Sequence, residues 1–170
     1  MTPLSFPAVL ATSQLAPRVA EALLQKGWQL ATAESCTGGM IAAYCTDLSG
    51  SSSWFERGFV TYSNAAKTEL LGVEAALIER DGAVSEAVVR AMVVGALAHS
   101  HAQVAIAVTG VAGPSGGSAD KPVGTVWIGW ALPGQVITEH CWFTGDRAQV
   151  RAATMQHTLA QLLLLLSAIP

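Results

Sequence analysis

A hydroxyl, a small set of amines and two glycine-rich loops are the groups in this chain whose types and spacing suit covalent chemistry. Glu34-Ser35-Cys36-Thr37-Gly38-Gly39-Met40 follows an apolar run over residues 28–33 and leads into Met40-Ile41-Ala42-Ala43-Tyr44. A strand, a small polar loop and a helix in that order leave backbone N–H groups without intrahelical partners. The helix dipole adds partial positive charge at the same end, which suits an oxyanion or a phosphate. The loop carries neither Gly-x-Gly-x-x-Gly nor Gly-Lys-[Ser/Thr], so it is not a dinucleotide fingerprint or a Walker loop. It does carry Ser35 at the mouth of a helix, where donors can stabilise a tetrahedral oxyanion. Taken locally, Ser35 or Thr37 serves equally well as a plain helix cap.

Serine becomes a nucleophile only when a base takes its proton. His99 and His101 fall at a helix end, His140 on a strand and His157 in the last helix. None follows a strand in a glycine-rich loop, and each reads as a surface or packed histidine. Lysine can act as the base if burial or a nearby cation lowers its pKa from ~10.4. Of the three lysines, Lys26 sits beside Gly27 at a helix end, where it complements the dipole. Lys67, in Tyr62-Ser63-Asn64-Ala65-Ala66-Lys67, comes just past a strand's carboxyl end, and Lys121 follows the second glycine-rich loop. Either is a candidate base or an exposed solubilising charge. Arg147 and Arg151 stand one helical turn apart and can clamp a phosphate or form an ordinary surface pair.

The elements that must position these groups alternate between helical and strand patterns. Residues 1–12, with Pro3 and Pro7, read as a flexible N-terminal arm, and residues 13–170 as one domain. Helical spacing over 13–26 ends at Gly27, followed by a strand at 28–33 and a helix ending near 46. Turn-forming residues 47–53 precede β-type segments at 54–55 and 58–62. Short helices are predicted over 65–71 and 74–80, then a long one over 86–99 with Ser85 as its N-cap. Residues 104–108 are continuously apolar, as in a strand buried on both faces. That run enters Thr109-Gly110-Val111-Ala112-Gly113-Pro114-Ser115-Gly116-Gly117, at the strand end where open α/β sheets place ligands. A hairpin over 124–132 and 136–143 turns at Pro133-Gly134, and Asp146 opens a last helix to 167. The pattern predicts an α/β fold, a single-domain three-layer α/β/α sandwich with a mixed β-sheet.

Composition narrows the function classes. The chain has 170 residues, 51% of them hydrophobic and only 12% charged. Sparse charge leaves apolar faces for a second subunit to cover, so a homo-oligomer is expected. The net charge of −3 and nine scattered Lys and Arg residues argue against nucleic acid as a partner, since duplex binding needs clustered cations. Cys36, Cys45 and Cys141 show no Cys-x-x-Cys spacing, so neither a disulfide framework nor a zinc site is indicated. No signal-peptide pattern opens the chain, and the leucine-rich stretch at 159–166 is too short to span a bilayer, which takes about 20 apolar residues. No membrane partner and a reducing, cytoplasmic setting are expected.

Five motifs in order, Glu34-Ser35-Cys36-Thr37-Gly38-Gly39, Tyr62-Ser63-Asn64-Ala65-Ala66-Lys67, Thr109-Gly110-Val111-Ala112-Gly113-Pro114, Lys121-Pro122-Val123-Gly124-Thr125-Val126 and Gly145-Asp146-Arg147, together resemble the CinA C-terminal domain family. The resemblance takes in Gly82-Ala83-Val84-Ser85 and runs from about residue 15 to 165. It implies hydrolysis of the carboxamide of nicotinamide mononucleotide, a small pyridine nucleotide, to nicotinate mononucleotide and ammonia, with no metal or organic cofactor. It further implies Ser35 as nucleophile, Lys67 as base, and Tyr62 as a partner that orients or relays the proton. Thr37, Gly38, Gly39, Asn64, Thr109, Gly110, Gly113, Lys121, Arg147 and Arg151 would contact substrate, the oxyanion being held near the start of the helix after Ser35. Many relatives carry an acidic residue where this chain has Ala65, which alters the charge near Lys67. Without the larger N-terminal domain of long family members, a stand-alone amidohydrolase is expected. The rival readings are a non-catalytic nucleotide- or phosphate-binding module, an amidase for a different carboxamide, and a DNA-uptake accessory, which the acidic pI disfavours.

Overall fold

The computed structural model describes residues 11–169. Its helices are α1 (Thr12–Lys26), α2 (Met40–Thr46), α3 (Asn64–Leu71), α4 (Ala75–Asp81), α5 (Glu86–Ala98) and α6 (Arg147–Ala168). Its strands are β1 (Leu30–Glu34), β2 (Phe55–Val60), β3 (Val104–Gly110), β4 (Thr125–Leu132) and β5 (Gln135–Trp142). Of the expected N-terminal arm, residues 1–10 lie outside the described residues, and Thr12 already belongs to α1.

The strands form one mixed sheet in the order β2-β1-β3-β4-β5, with β1 parallel to both β2 and β3, and β4 and β5 antiparallel. Side chains on a strand alternate between faces, and this sheet uses the alternation to set the thickness of each helix layer. On β1 and β3 the larger residues Leu30, Val104, Ile106 and Val108 join the core shared with α1 and α6. The intervening Ala31, Ala33, Ala105 and Ala107 face α5, and their small size lets that helix pack closely. Both faces are thus covered, as a three-layer sandwich requires.

Three strands differ from the sequence reading by more than single-residue shifts at their ends. The strand expected at 28–33 begins at Leu30, because the Trp28 amide donates to Leu23 O and closes α1 instead. It extends to Glu34, which pairs with Val60 and Val108. The strand expected at 104–108 runs on to Gly110, since Thr109 and Gly110 pair with Trp127 and Val126. The two β pieces around residues 54–62 are one strand, preceded by a 3-10 turn over Ser51–Ser53.

Candidate active site

Strand order places β1 between β2 and β3, and the link from β1 to β2 carries α2 on the face of α1 and α6 while the link from β2 to β3 carries α3, α4 and α5 on the other face. A crevice opens at the carboxyl ends of β1 and β3. The loop after β1 carries Ser35, whose amide donates to Val108 O at 3.1 Å and so continues the parallel pairing one residue past the strand. Ser35 is 8% exposed.

Glu34, the last residue of β1, is buried and turns its carboxylate under the loop. Oε2 accepts from the amides of Gly39 (3.1 Å) and Ile41 (3.0 Å), and Oε1 from Ala42 at 2.8 Å. The donors at the start of α2 are therefore taken by an internal anion. This corrects the expectation that they hold a substrate oxyanion or phosphate. Neither Ser35 nor Thr37 caps α2 either; its N-cap is Gly39, in the left-handed region at φ 95°. The amides of Cys36 and Thr37 carry no hydrogen bond to another described residue, and they are the loop's uncommitted donors.

Lys67 comes from α3, whose N-cap Ser63 accepts from the Ala66 amide at 3.0 Å. Helical side chains slant back toward their own N-terminus, so a lysine in this first turn reaches over the residues that precede the helix. Its Nζ lies 3.1 Å from Ser35 Oγ, 3.0 Å from Thr61 O and 3.4 Å from Tyr62 O. Lys67 is only 1% exposed. Burial pushes its pKa below the ordinary lysine value. Ionised Cys36 would oppose that shift, but burial raises the Cys36 thiol to about 11 and keeps it neutral. The three oxygens suit both protonation states. An ammonium has three N–H groups for them, and a neutral amine has two for the carbonyls and a lone pair for the serine proton.

These groups open onto a cavity of about 230 Å³. Of the expected residues, Ser35, Tyr62, Asn64, Lys67, Thr109, Gly110 and Arg147 line it. Cys36, Ala83, Val84 and Ala112 line it as well. No chemical signal marks those four in the sequence, though all lie within or beside the matched motifs. Thr109 Oγ1 donates to Ala83 O at 2.8 Å, tying the end of β3 to the segment before α5.

The remaining expected residues fall elsewhere. Thr37 is fully buried, and Gly38 and Gly39 form the turn behind Ser35 rather than the cavity wall. Arg151 does not join Arg147 in a clamp: its guanidinium donates to Cys36 O (3.2 Å) and Thr37 O (2.8 Å), fastening the serine loop to α6. Arg147 donates to Gly113 O and to the Tyr62 hydroxyl, each at 3.0 Å, and it alone of the pair faces the cavity. Gly113 meets Arg147 only through that carbonyl, outside the cavity wall. Lys121 Nζ donates to Asp81 O at 3.2 Å and does not line the cavity. Tyr62 is 59% exposed, and its phenol accepts from Arg147 and bonds neither Ser35 nor Lys67. What Tyr62 offers the lysine is its backbone carbonyl, so a proton relay through the phenol is not what the geometry provides. None of the histidines lines the cavity.

Comparison with known proteins gives one consistent picture. Residues 12–166 match the model of the CinA C-terminal domain. The chain is 57% identical over 139 residues to the nicotinamide-nucleotide amidohydrolase PncC of Enterobacter agglomerans, covering 81% of this chain and 85% of that protein. It is 49% identical over 150 residues to the protein of the same name from Escherichia coli K12, covering 88% and 91%. Among solved structures, the competence damage-inducible protein A of Klebsiella pneumoniae superposes with a TM-score of 0.91 at 42% identity, covering 95% of this chain and 100% of that one. No helix among the described residues is long and apolar enough to cross a membrane.

Proposed function

Because this chain belongs to the CinA C-terminal domain family, we propose that it hydrolyses the carboxamide of nicotinamide mononucleotide, giving nicotinate mononucleotide and ammonia through a serine–lysine pair. The observation that carries the proposal is the buried Lys67 amine 3.1 Å from Ser35 Oγ, at the rim of a cavity. The names of relatives up to 57% identical over most of their length support the substrate class.

Lys67, neutral, accepts the Ser35 proton while Oγ bonds to the carboxamide carbon. The oxyanion is met by the uncommitted amide of Cys36, the residue next after the nucleophile, which lines the cavity beside Ser35. As the C–N bond breaks, the Lys67 ammonium returns its proton to the leaving nitrogen, and ammonia departs. Water then attacks the acyl carbon, Lys67 takes its proton, and that proton restores the Ser35 hydroxyl as the carboxylate leaves. The pyridinium charge of the substrate disfavours an ammonium nearby and so helps to keep the base neutral. A cavity of about 230 Å³ suits the pyridine carboxamide, with ribose and phosphate directed outward past Arg147, the exposed cation at its edge.

The test is ammonia release from nicotinamide mononucleotide by wild type, Ser35→Ala and Lys67→Met. Both variants should stay folded, Ser35→Ala should be inactive, and Lys67→Met should lose about 10²–10⁴-fold, the range for a general base. Intact-mass analysis of a quenched reaction should show a nicotinoyl adduct in wild type only. A fully active Lys67→Met enzyme overturns the mechanism. Turnover of other pyridine carboxamides but not of the mononucleotide overturns the substrate.

A further inference from the structure

Far from the cavity, three donors of different chemistry converge where the sheet edge meets the last helix. Glu139 and Cys141 stand two residues apart on β5, and so on one face of that strand, toward α6. His157 faces them from α6, its Nε2 2.9 Å from Glu139 Oε2. One ligand atom from each, imidazole nitrogen, carboxylate oxygen and thiol sulfur, lies within 4.8 Å of the other two. Phe143 walls one side, its ring edge-on to His157 at 5.8 Å between centroids.

We propose that Glu139, Cys141 and His157 form a binding site for a divalent cation of the zinc class, distinct from the hydrolytic centre. Around a tetrahedral zinc, with bonds of about 2.0–2.3 Å, ligand atoms stand roughly 3.3–3.8 Å apart. The observed separations, from 2.9 Å to at most 4.8 Å, bracket that spacing. The ligand types choose the ion: thiolate and imidazole favour zinc or cobalt over magnesium or calcium, which prefer oxygen. Glu139 and His157 keep 42% and 37% of their side-chain exposure, so solvent reaches the cluster and can fill the fourth position. Binding replaces the Cys141 thiol proton, which is released to solvent.

Position decides what the site does. β5 is an edge strand, held in the sheet by β4 alone, and α6 carries Arg147 at its first position. At about 1.5 Å per residue, His157 lies roughly 15 Å along the helix from Arg147. An ion there staples the open edge of the sheet to the helix that carries the cavity's arginine. It takes no part in the reaction. Without an ion, Glu139 joins the other two by hydrogen bonds, to His157 Nε2 and to the Cys141 thiol, and a bound ion replaces both contacts of these partly exposed groups.

Cobalt titration of the reduced full-length chain tests this directly. A thiolate-to-cobalt charge-transfer absorption should appear, saturate at one equivalent and disappear when zinc is added. Cys141→Ser and His157→Ala should each abolish it, while Cys45→Ser keeps it. Zinc should raise the melting temperature of wild type and leave that of His157→Ala unchanged; His157 is half-exposed, so this variant decides the matter even if Cys141→Ser folds poorly. Absence of the band, or a band that survives in Cys141→Ser and therefore belongs to another thiol such as Cys36, overturns the proposal. Both readouts are independent of amide hydrolysis, so their failure leaves the proposed reaction standing.

Discussion

Replacing Glu34 by glutamine tests how the serine loop is held. The carboxylate is buried and accepts three backbone amides, two on Oε2 and one on Oε1. A glutamine keeps the size but can place its carbonyl oxygen on only one side. In its better orientation it retains the Gly39 and Ile41 bonds and turns an NH₂ group against the Ala42 amide. Losing one charge-assisted bond costs about 1.5–3 kcal/mol, and weakening two others to neutral strength, at about 1–1.5 kcal/mol each, brings the total to about 3.5–6 kcal/mol. For a domain of this size that lowers the melting temperature by roughly 7–24 °C. Glu34→Ala, which leaves all three donors without an acceptor, should cost more than Glu34→Gln. Urea unfolding gives the stability change through the midpoint at constant slope, and the ammonia assay should show kcat falling as Ser35 loses its fixed distance from Lys67. If Glu34→Gln stays within about 0.5 kcal/mol of wild type, as an ordinary surface substitution does, the carboxylate is not what organises the loop.

The lowered pKa of Lys67 fixes the sign of two pH effects. The rate should rise with pH as the amine loses its proton, with a midpoint below the ordinary lysine value of ~10.4, and Ser35 chemistry should fail on the acid side. Across the window between the depressed folded value and ~10.4, the unfolded chain binds the extra proton, so stability should rise with pH there. In Lys67→Met that rise should vanish, and a rise unchanged in the variant would place its origin in another group. Arg147→Ala should raise KM for the mononucleotide by about 10–100-fold, the worth of a charge-assisted contact, while changing KM for the phosphate-free riboside much less. Arg151→Ala should instead lower kcat on both, because it frees the Cys36 and Thr37 carbonyls; equal behaviour of the two variants on the two substrates would contradict the division of the pair.

The sequence by itself determined the elements and their order. Side-chain alternation, helical spacing and turn residues are local properties, so the strands on either side of Ser35, the caps Ser85 and Asp146 and the β4–β5 hairpin were legible from the chain alone. It also singled out the serine loop and a short set of amines, because nucleophiles and bases are rare residue types in recognisable settings. Boundaries that depend on partners were not legible: Glu34 belongs to β1, and Thr109 and Gly110 to β3, only because neighbouring strands offer them hydrogen bonds. Nor could spacing show which side of a helix terminus was already occupied. Glu34 and Arg151 look like a motif acid and half of a phosphate clamp, and folding turns both inward to hold the loop. Lys67 and Lys121 read alike in one dimension; burial and three oxygens within reach separate the first from the second. The physical reason is common to all of these. Propensity and patterning act over a few residues, whereas charge state, hydrogen-bond satisfaction and cavity geometry depend on atoms brought together from distant parts of the chain, and only the tertiary fold supplies them.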